Sequence, residues 1–423
     1  MIPESQRTYE IRCPVYGFIQ LTDWEWQIIS QPAFQRLRRI RQLAWTDYVY
    51  PGAMHTRFEH SLGVMHMATM LYDGIVQRSL DTLRDELGYN KDGLNRDKVL
   101  VRLAALLHDV GHAPFSHATE DLFPKVENTG ERFKHEHYSA EIVRRHFADA
   151  IKNGGAFTNY GLTAEDVANF LEGKPEAGKA MFWRELVDGQ MDADRMDYLL
   201  RDSIHSGVSY GRYDWPRLVH TVVAVPSGEE SGPRLGVAEG GWHAAEGLIL
   251  ARYFMFTQVY FHKTRVAFDH HLQKALGEML PQGHFPAPRN RRELDDYLKW
   301  DDWRVLGLLA NGKGGEHGQR LANRNHFREI THTPETPTAD DLARLDEWRG
   351  ALGDLLAAEI PAEKSWYKVG QADIPVISDT PKFEVKPLSK YSSVVKNIQA
   401  ARQVRLYALP ERCEEARSRI EKS

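Results

Sequence analysis

With 423 residues the chain is long for one ordinary domain and short for three, and its 42% apolar and 27% charged residues supply ample material for a buried core. That composition argues against wholesale disorder, and a net charge of −5 does not by itself point to a nucleic-acid binder. Two distant cysteines, Cys13 and Cys413, are a poor disulfide framework and cannot supply a four-thiolate zinc site. The first residues lack the basic-then-apolar pattern of a signal peptide, and no apolar run approaches the roughly 20 residues that span a bilayer. A cytoplasmic protein with no membrane partner is the expectation.

Taken in chain order, Ile28, Ile29, Phe34, Leu37 and Ile40 recur near a period of 3.6, which predicts helix from Trp24 to Leu43 divided at Pro32. Arg36, Arg38, Arg39 and Arg41 fall between the later apolar positions, either as a solvated face or as an edge turned toward phosphate. A helix follows over His60 to Tyr72. Val99 to Asp109 is apolar almost all round, so that helix is expected to be central, ending before Gly111 and Pro114. Further helices are predicted over Tyr138–Phe147, from Ala164 behind a Thr163/Asp166 cap, over Asp192–Ser203 and over Gly247–Met279.

After about residue 280 the character changes. Pro281, Pro286 and Pro288 mark a linker, Asn311–Gly318 reads as an exposed loop, and Thr338 with Asp341 opens a helix toward Leu356. Ile374, Val376 and Ile377, then Val404, Leu406 and Tyr407, suit a strand or two. The expected fold is mainly α: a helical core over residues 1–280 and a smaller mixed α/β lobe over 281–423, available for oligomer contacts.

The chemistry lies in a histidine and aspartate series: His55-Thr-Arg57-Phe-Glu59-His60, His108-Asp109-Val-Gly-His112-Ala-Pro-Phe-Ser-His117, His135-Glu-His137 and Asp192-Ala-Asp194. A lone histidine is more often a packed residue than a ligand. An apolar helix ending in adjacent His108 and Asp109 is different, because a buried carboxylate needs a partner or a metal. Imidazole with carboxylate suits a divalent ion (manganese, iron, magnesium, zinc or nickel), and a mixed set without thiolates is the catalytic kind.

His60, His108-Asp109 and a later Asp resemble the H…HD…D signature of the HD superfamily. Longer phrases, Arg36-Leu-Arg38-Arg-Ile-Arg-Gln42-Leu43, Tyr50-Pro-Gly-Ala-Met-His-Thr-Arg57-Phe-Glu-His60, Asp192-Ala-Asp194-Arg195-Met-Asp197-Tyr198-Leu-Leu-Arg-Asp202 and Tyr260-Phe-His262-Lys263, are similar to the HD-type deoxynucleoside triphosphate triphosphohydrolases. The similarity covers roughly residues 10 to 275. It implies hydrolysis of dNTPs to deoxynucleoside and triphosphate by a homo-oligomer, a dimer or tetramer.

By that resemblance His60, His108, Asp109 and Asp194 are the metal ligands, with Asp192 the competitor for the last place. His112, His117 and His135 are the catalytic histidines and Glu120 their partner. Arg57, Arg195, Arg252, His262 and Lys263 match phosphate contacts. Tyr198 and Tyr260 match sugar-packing positions, Asp202 and Gln42 sugar-hydroxyl contacts, and Leu43 lines the sugar pocket. Nucleotide-activated relatives carry an acidic residue where Ser30 stands here, so constitutive activity or a different activator is expected.

Two other readings compete. The same metal centre serves nucleases and phosphodiesterases, and Lys382, Lys386, Lys390, Lys396, Arg402 and Arg405, accompanied only by Glu384, could hold a nucleic-acid backbone. A non-catalytic nucleotide sensor is disfavoured, because a degenerate site is expected to lose ligands.

Overall fold

The N-terminal strands β1 (Thr8–Cys13) and β2 (Gly17–Thr22) form an antiparallel hairpin in the register Thr8↔Thr22. This architecture comes from a computed structural model, which describes residues 8–127, 129–226, 232–364, 373–378 and 383–422. Thr22 and Glu25 form a capping box that turns the chain out of β2 into the helix Asp23–Ile29. Pro32 does interrupt the expected helix, but the chain then makes only a single turn, Pro32–Gln35, and a 3₁₀ segment, Arg36–Arg39, after which Ile40 is extended. The arginines there form neither a plain solvated face nor a free phosphate edge. Arg36 is buried and donates twice to the Trp300 carbonyl, at 2.9 and 2.7 Å, while Arg39 pairs with Asp301 and Arg41 with Asp47. Partners so distant in sequence leave no trace in local periodicity.

Six helices build the core around the site: α1 (Arg57–Arg78), α2 (Lys91–Leu107), α3 (His135–Ile142), α4 (Ala193–Ser206), α5 (Trp242–Met255) and α6 (Lys263–Met279). The segment from Val99 to Leu107 of α2 is buried apart from Arg102, which reaches Glu25, so this helix is the central one, as its composition predicts. Helix α1 packs on both α2 and α4. Its approach to α4 depends on Gly63: a Cβ there would lie 1.9 Å from Asp197 Oδ1 and 2.3 Å from Arg201 Nη2. The single helix expected over Gly247–Met279 is two, separated by a π turn at Phe256–Tyr260 and by Phe261–His262. The break points Tyr260 inward.

The core does not stop at residue 280. Leu294, Tyr297, Trp300, Val305, Leu309 and Leu321 are buried in the same hydrophobic cluster as α1 and α2. The glycine-rich stretch is shorter as a loop than expected, since a helix begins at Gly315 and runs to Ala322. A four-stranded sheet also crosses this point in the sequence. Strands β3 (Val222–Val225) and β4 (Arg234–Ala238) are antiparallel. The later strands of the chain are β5 (Arg328–His332), β6 (Ala358–Lys364), β7 (Pro375–Ser378), β8 (Glu384–Pro387) and β9 (Ala401–Ala408). Strand β7 pairs parallel with β4 and antiparallel with β8, giving the order β3-β4-β7-β8. The remaining sheet, β5-β9-β6, carries a small core of its own in which Leu406 and Ala408 meet Leu345, Leu352 and Ala416 of two helices, Ala339–Leu352 and Cys413–Glu421. Thr338 and Asp341 cap the first of these as expected. The whole is mainly α, with the N-terminal hairpin and small sheets toward the C-terminus. Among the described residues no helix is long and apolar enough to cross a membrane.

Candidate active site

The phrase His55-Thr-Arg57-Phe-Glu59-His60 owes its shape to a helix start. Thr56 and Glu59 form the capping box of α1, and Arg57 and His60, three residues apart, then face inward together. His108 closes α2 at its C-terminal end and Asp109 follows directly. Asp192 is the N-cap of α4: its carboxylate accepts from the backbone N–H groups of Arg195 (2.7 Å) and Gly189 (3.1 Å) and pairs with the Arg195 side chain. Asp194, two residues on, projects instead toward the two histidines. Of the two neighbouring acids, Asp192 therefore caps the helix and Asp194 turns its carboxylate to His60 and His108.

Four groups from three helices converge. Nε2 of His60 lies 2.9 Å from Asp194 Oδ1 and 3.5 Å from Asp109 Oδ2, and Nε2 of His108 lies 3.2 Å from Asp109 Oδ1 and 3.7 Å from Asp194 Oδ1. Both rings are aimed by their other nitrogen. His60 Nδ1 faces Asp197 Oδ2 at 2.8 Å, and His108 Nδ1 donates to the Ala105 carbonyl at 2.8 Å. A proton held on Nδ1 leaves the Nε2 lone pair free for a cation, and Nε2 of His108 is buried and makes no hydrogen bond among the described residues. His60, His108 and Asp109 place ligand atoms close enough together to fit a divalent ion, and Asp194 Oδ1 lies beside both imidazoles.

A second cluster sits beside it. His112 and His135 stack with ring centroids 3.8 Å apart. Glu120 Oε1 lies 2.7 Å from His135 Nδ1 and 3.0 Å from His117 Nδ1, and His112 Nε2 lies 3.2 Å from Asp109 Oδ1. Gly111 makes room for α3 here, since a Cβ would come within 2.3 Å of the His135 carbonyl oxygen and the Ser139 nitrogen. The electrostatics separate the histidines. Burial and the neighbouring Arg57 and His135 push His112 well below the ordinary range, so it is neutral. Burial also disfavours charge on His135, but its hydrogen bond to Glu120 and the surrounding acids outweigh this and push it up to about 9.

Both clusters open onto one cavity of about 590 Å³. Gln42, Leu43, Arg57, Arg195, Tyr198, Asp202, Arg252 and Tyr260 line it together with His108, Asp109, His112, His117, Glu120, His135 and Asp194. Asp202 is fixed from two sides, by His55 Nε2 at 2.7 Å and by the Tyr260 hydroxyl at 2.6 Å. Gln42 Oε1 is buried and makes no hydrogen bond among the described residues. Three expected residues lie off the lining: His60 is fully buried, the His262 ring accepts from the Thr264 N–H as the N-cap of α6, and Lys263 is exposed with Glu329 at 4.0 Å. In their place Arg265, one turn past the break, lines the cavity and pairs with Asp269.

Sequence reasoning assigned no role to Asp197, Arg201, His55 or Arg265, although His55 and Asp197 stand within its motifs. The i,i+3 spacing of Asp194 and Asp197 and the i,i+4 spacing of Asp197 and Arg201 carried a signal for the first two; the others needed tertiary contacts. The basic tail does not form one strip. Arg405 is buried against Glu329 and the Phe261 carbonyl, Lys386 pairs with Glu384, and Lys382 lies outside the described residues.

Known proteins match this arrangement along its length. The model of the HD domain matches residues 57–202, and that of an HD-associated region matches 214–422. A Methanocaldococcus jannaschii protein is 30% identical over 80% of this chain, which spans 62% of that relative. YwfO of Bacillus subtilis is 30% identical over 92% of this chain and 89% of its own length. The deoxynucleoside triphosphate triphosphohydrolase SAMHD1 of Gallus gallus is 35% identical over 49% of this chain, which spans about a third (35%) of that protein. Among solved structures, a protein from Aquifex aeolicus superposes with a TM-score of 0.79 at 29% identity, covering 98% of this chain and 100% of that one. A phosphohydrolase from Bacteroides thetaiotaomicron gives 0.70 at 25% identity, covering 95% and 100%. With the H…HD…D residues gathered at the end of the central helix and both matched regions running in sequence, the chain belongs to the HD-domain phosphohydrolase family.

Proposed function

We propose that the chain hydrolyses deoxynucleoside triphosphates to deoxynucleoside and triphosphate, using a divalent ion held by His60, His108, Asp109 and Asp194. The observation that carries this reading is the sharing of one cavity by His108, Asp109 and Asp194 of that centre, the His112–His117–Glu120–His135 cluster, arginines that include Arg57, Arg195 and Arg252, and Tyr198, Tyr260, Asp202 and Gln42. Bound there, such an ion supplies Lewis acidity toward phosphoryl oxygen and lowers the pKa of water.

The chain's own groups do the rest. Arg57, Arg195 and Arg252 offset the charge of the triphosphate. Water attacks the α-phosphorus, the bond to the 5′-oxygen breaks, that oxygen takes a proton from the His117–Glu120–His135 set, and the proton lost by the attacking water passes to solvent, from which the set is reprotonated. His135, held protonated by Glu120, keeps the proton available. Elsewhere on the lining Leu43 and the two tyrosines pack against a sugar, and the buried Gln42 Oε1 is an acceptor awaiting a hydroxyl. The similarity to SAMHD1 supports the same substrate class.

Product analysis tests the reading. Metal-supplemented protein is incubated with each dNTP, each rNTP and single-stranded DNA, and the products are resolved by ion-pair chromatography. Deoxynucleoside with intact triphosphate is the expected result. Nucleoside monophosphates released from DNA alone would make the protein a nuclease on the same centre.

The proton donor has a pH signature. A general acid must be protonated, so turnover is expected to hold at neutral pH and to fall as pH rises through about 9, where His135 loses its proton. Glu120→Gln removes the hydrogen-bonded charge that raises His135, so the basic limb is expected to move toward the ordinary histidine range. A limb that stays in place in this variant would remove His135 from the role.

A further inference from the structure

The loop between Asp109 and Glu120 bends through two consecutive non-glycine residues in the left-handed region, Phe115 at φ 58° and Ser116 at φ 59°. Residues with a Cβ disfavour that conformation, so the turn persists only where its surroundings hold it. The hold comes from far along the chain. Asp302, in the HD-associated region and 1% exposed, accepts the Phe115 N–H on Oδ1 at 2.7 Å and the Arg41 N–H on Oδ2 at 2.8 Å. The ring then closes on itself: Ser116 Oγ donates to the Arg41 carbonyl at 2.7 Å and accepts from Arg57 Nε at 2.7 Å. Nearby, the Tyr297 hydroxyl donates to the Gly111 carbonyl at 2.6 Å, at the start of the same loop.

These bonds join two edges of the cavity. Arg41 immediately precedes Gln42 and Leu43, and Phe115 and Ser116 stand between His112 and His117. We propose that Asp302 is a positioning residue of the active site, a carboxylate whose two oxygens set the spacing between the Gln42–Leu43 edge and the His112–His117 edge. A carboxylate is the suitable group because both oxygens accept from an N–H. Asparagine would keep the shape but turn an NH₂ toward one of the two donors. Catalytic groups misplaced by about 1 Å lose rates on the order of 10²-fold. The metal centre stands on α1, α4 and the end of α2, and the clamp meets it through Arg57, which bonds both Ser116 and Asp109.

The kinetic arm of the test rests on the hydrolase reading above; the exchange arm does not. Asp302→Asn and Tyr297→Phe are compared with the unaltered chain, well below the melting temperature. Three quantities are measured: amide hydrogen exchange over residues 110–119, bound metal, and kcat on the substrate the unaltered chain turns over. Asp302→Asn is expected to exchange at least about tenfold faster around Phe115, to keep its metal, and to lose about 10²-fold in kcat. Tyr297→Phe is expected to change in the same direction by less. Unchanged exchange, a kcat within twofold of the unaltered chain, or a loss that tracks missing metal or unfolded protein would each overturn the proposal. If the unaltered chain cleaves no phosphate ester, the proposed function falls and exchange alone decides the clamp.

Discussion

Asp194→Ala is expected to abolish metal binding and to lower kcat/KM by at least about 10³-fold, while Asp192→Ala keeps its metal and loses stability. Asp194 brings one carboxylate oxygen within 2.9 Å of His60 Nε2 and 3.7 Å of His108 Nε2, so its removal leaves two imidazoles and Asp109 to hold the ion. Asp109 is already shared with Arg57, and so is the weaker anchor of the two. Lewis-acid stabilisation is worth several kcal/mol, and about 4 kcal/mol corresponds to roughly 10³ in rate. Asp192 spends its oxygens differently. It caps α4 and pairs with Arg195, and replacing an N-cap acid with Ala costs about 1 kcal/mol. Metal content by elemental analysis, read beside a denaturation curve, separates the two acids. If Asp192→Ala released the metal and Asp194→Ala did not, the assignment of ligand and cap would be reversed.

That pair of acids shows what a sequence makes legible. Helix α2 could be read because a run from Val99 to Leu107 has few places to go but a core, and His108-Asp109 at its end could be read because a charged group at that position needs a partner. The α4 residues Asp194, Tyr198 and Asp202 fall one turn apart, and all three line the cavity. Local periodicity carries such statements. It carries nothing about Arg36 finding the Trp300 carbonyl, or Asp302 reaching back to Arg41 and Phe115, because those partners are set by how distant segments pack. The π turn at Phe256–Tyr260 was hidden for a different reason: the apolar pattern runs through it unbroken, and only the resulting turn aims Tyr260 at Asp202 while moving His262 and Lys263 off the lining. The core beyond residue 280 was hidden by its prolines, which read as a linker although Tyr297 and Trp300 behind them are buried.

The largest structural effect is expected at Asp197, which touches no substrate-facing surface. Its carboxylate receives two hydrogen bonds from Arg201, each 2.8 Å, and holds His60 Nδ1 at 2.8 Å, and all three side chains are fully buried. Asp197→Ala leaves the Arg201 guanidinium buried without its counter-charge, and breaking a buried pair from one side costs about 3–5 kcal/mol. Asp197→Ala with Arg201→Met removes both charges and puts an apolar chain in the space, so most of that stability is expected to return. Metal affinity is not expected to return with it. His60 has lost the acceptor that fixes its ring and its tautomer, and losing such an outer partner weakens metal binding by about 10–100-fold. The double variant therefore separates two jobs done by one carboxylate: neutralising Arg201, which hydrophobic packing can replace, and orienting His60, which it cannot. Denaturant unfolding and metal titration of both variants provide the check. Recovery of metal affinity together with stability would mean that His60 is held by the packing of α1 on α4 alone, and that Asp197 serves only Arg201.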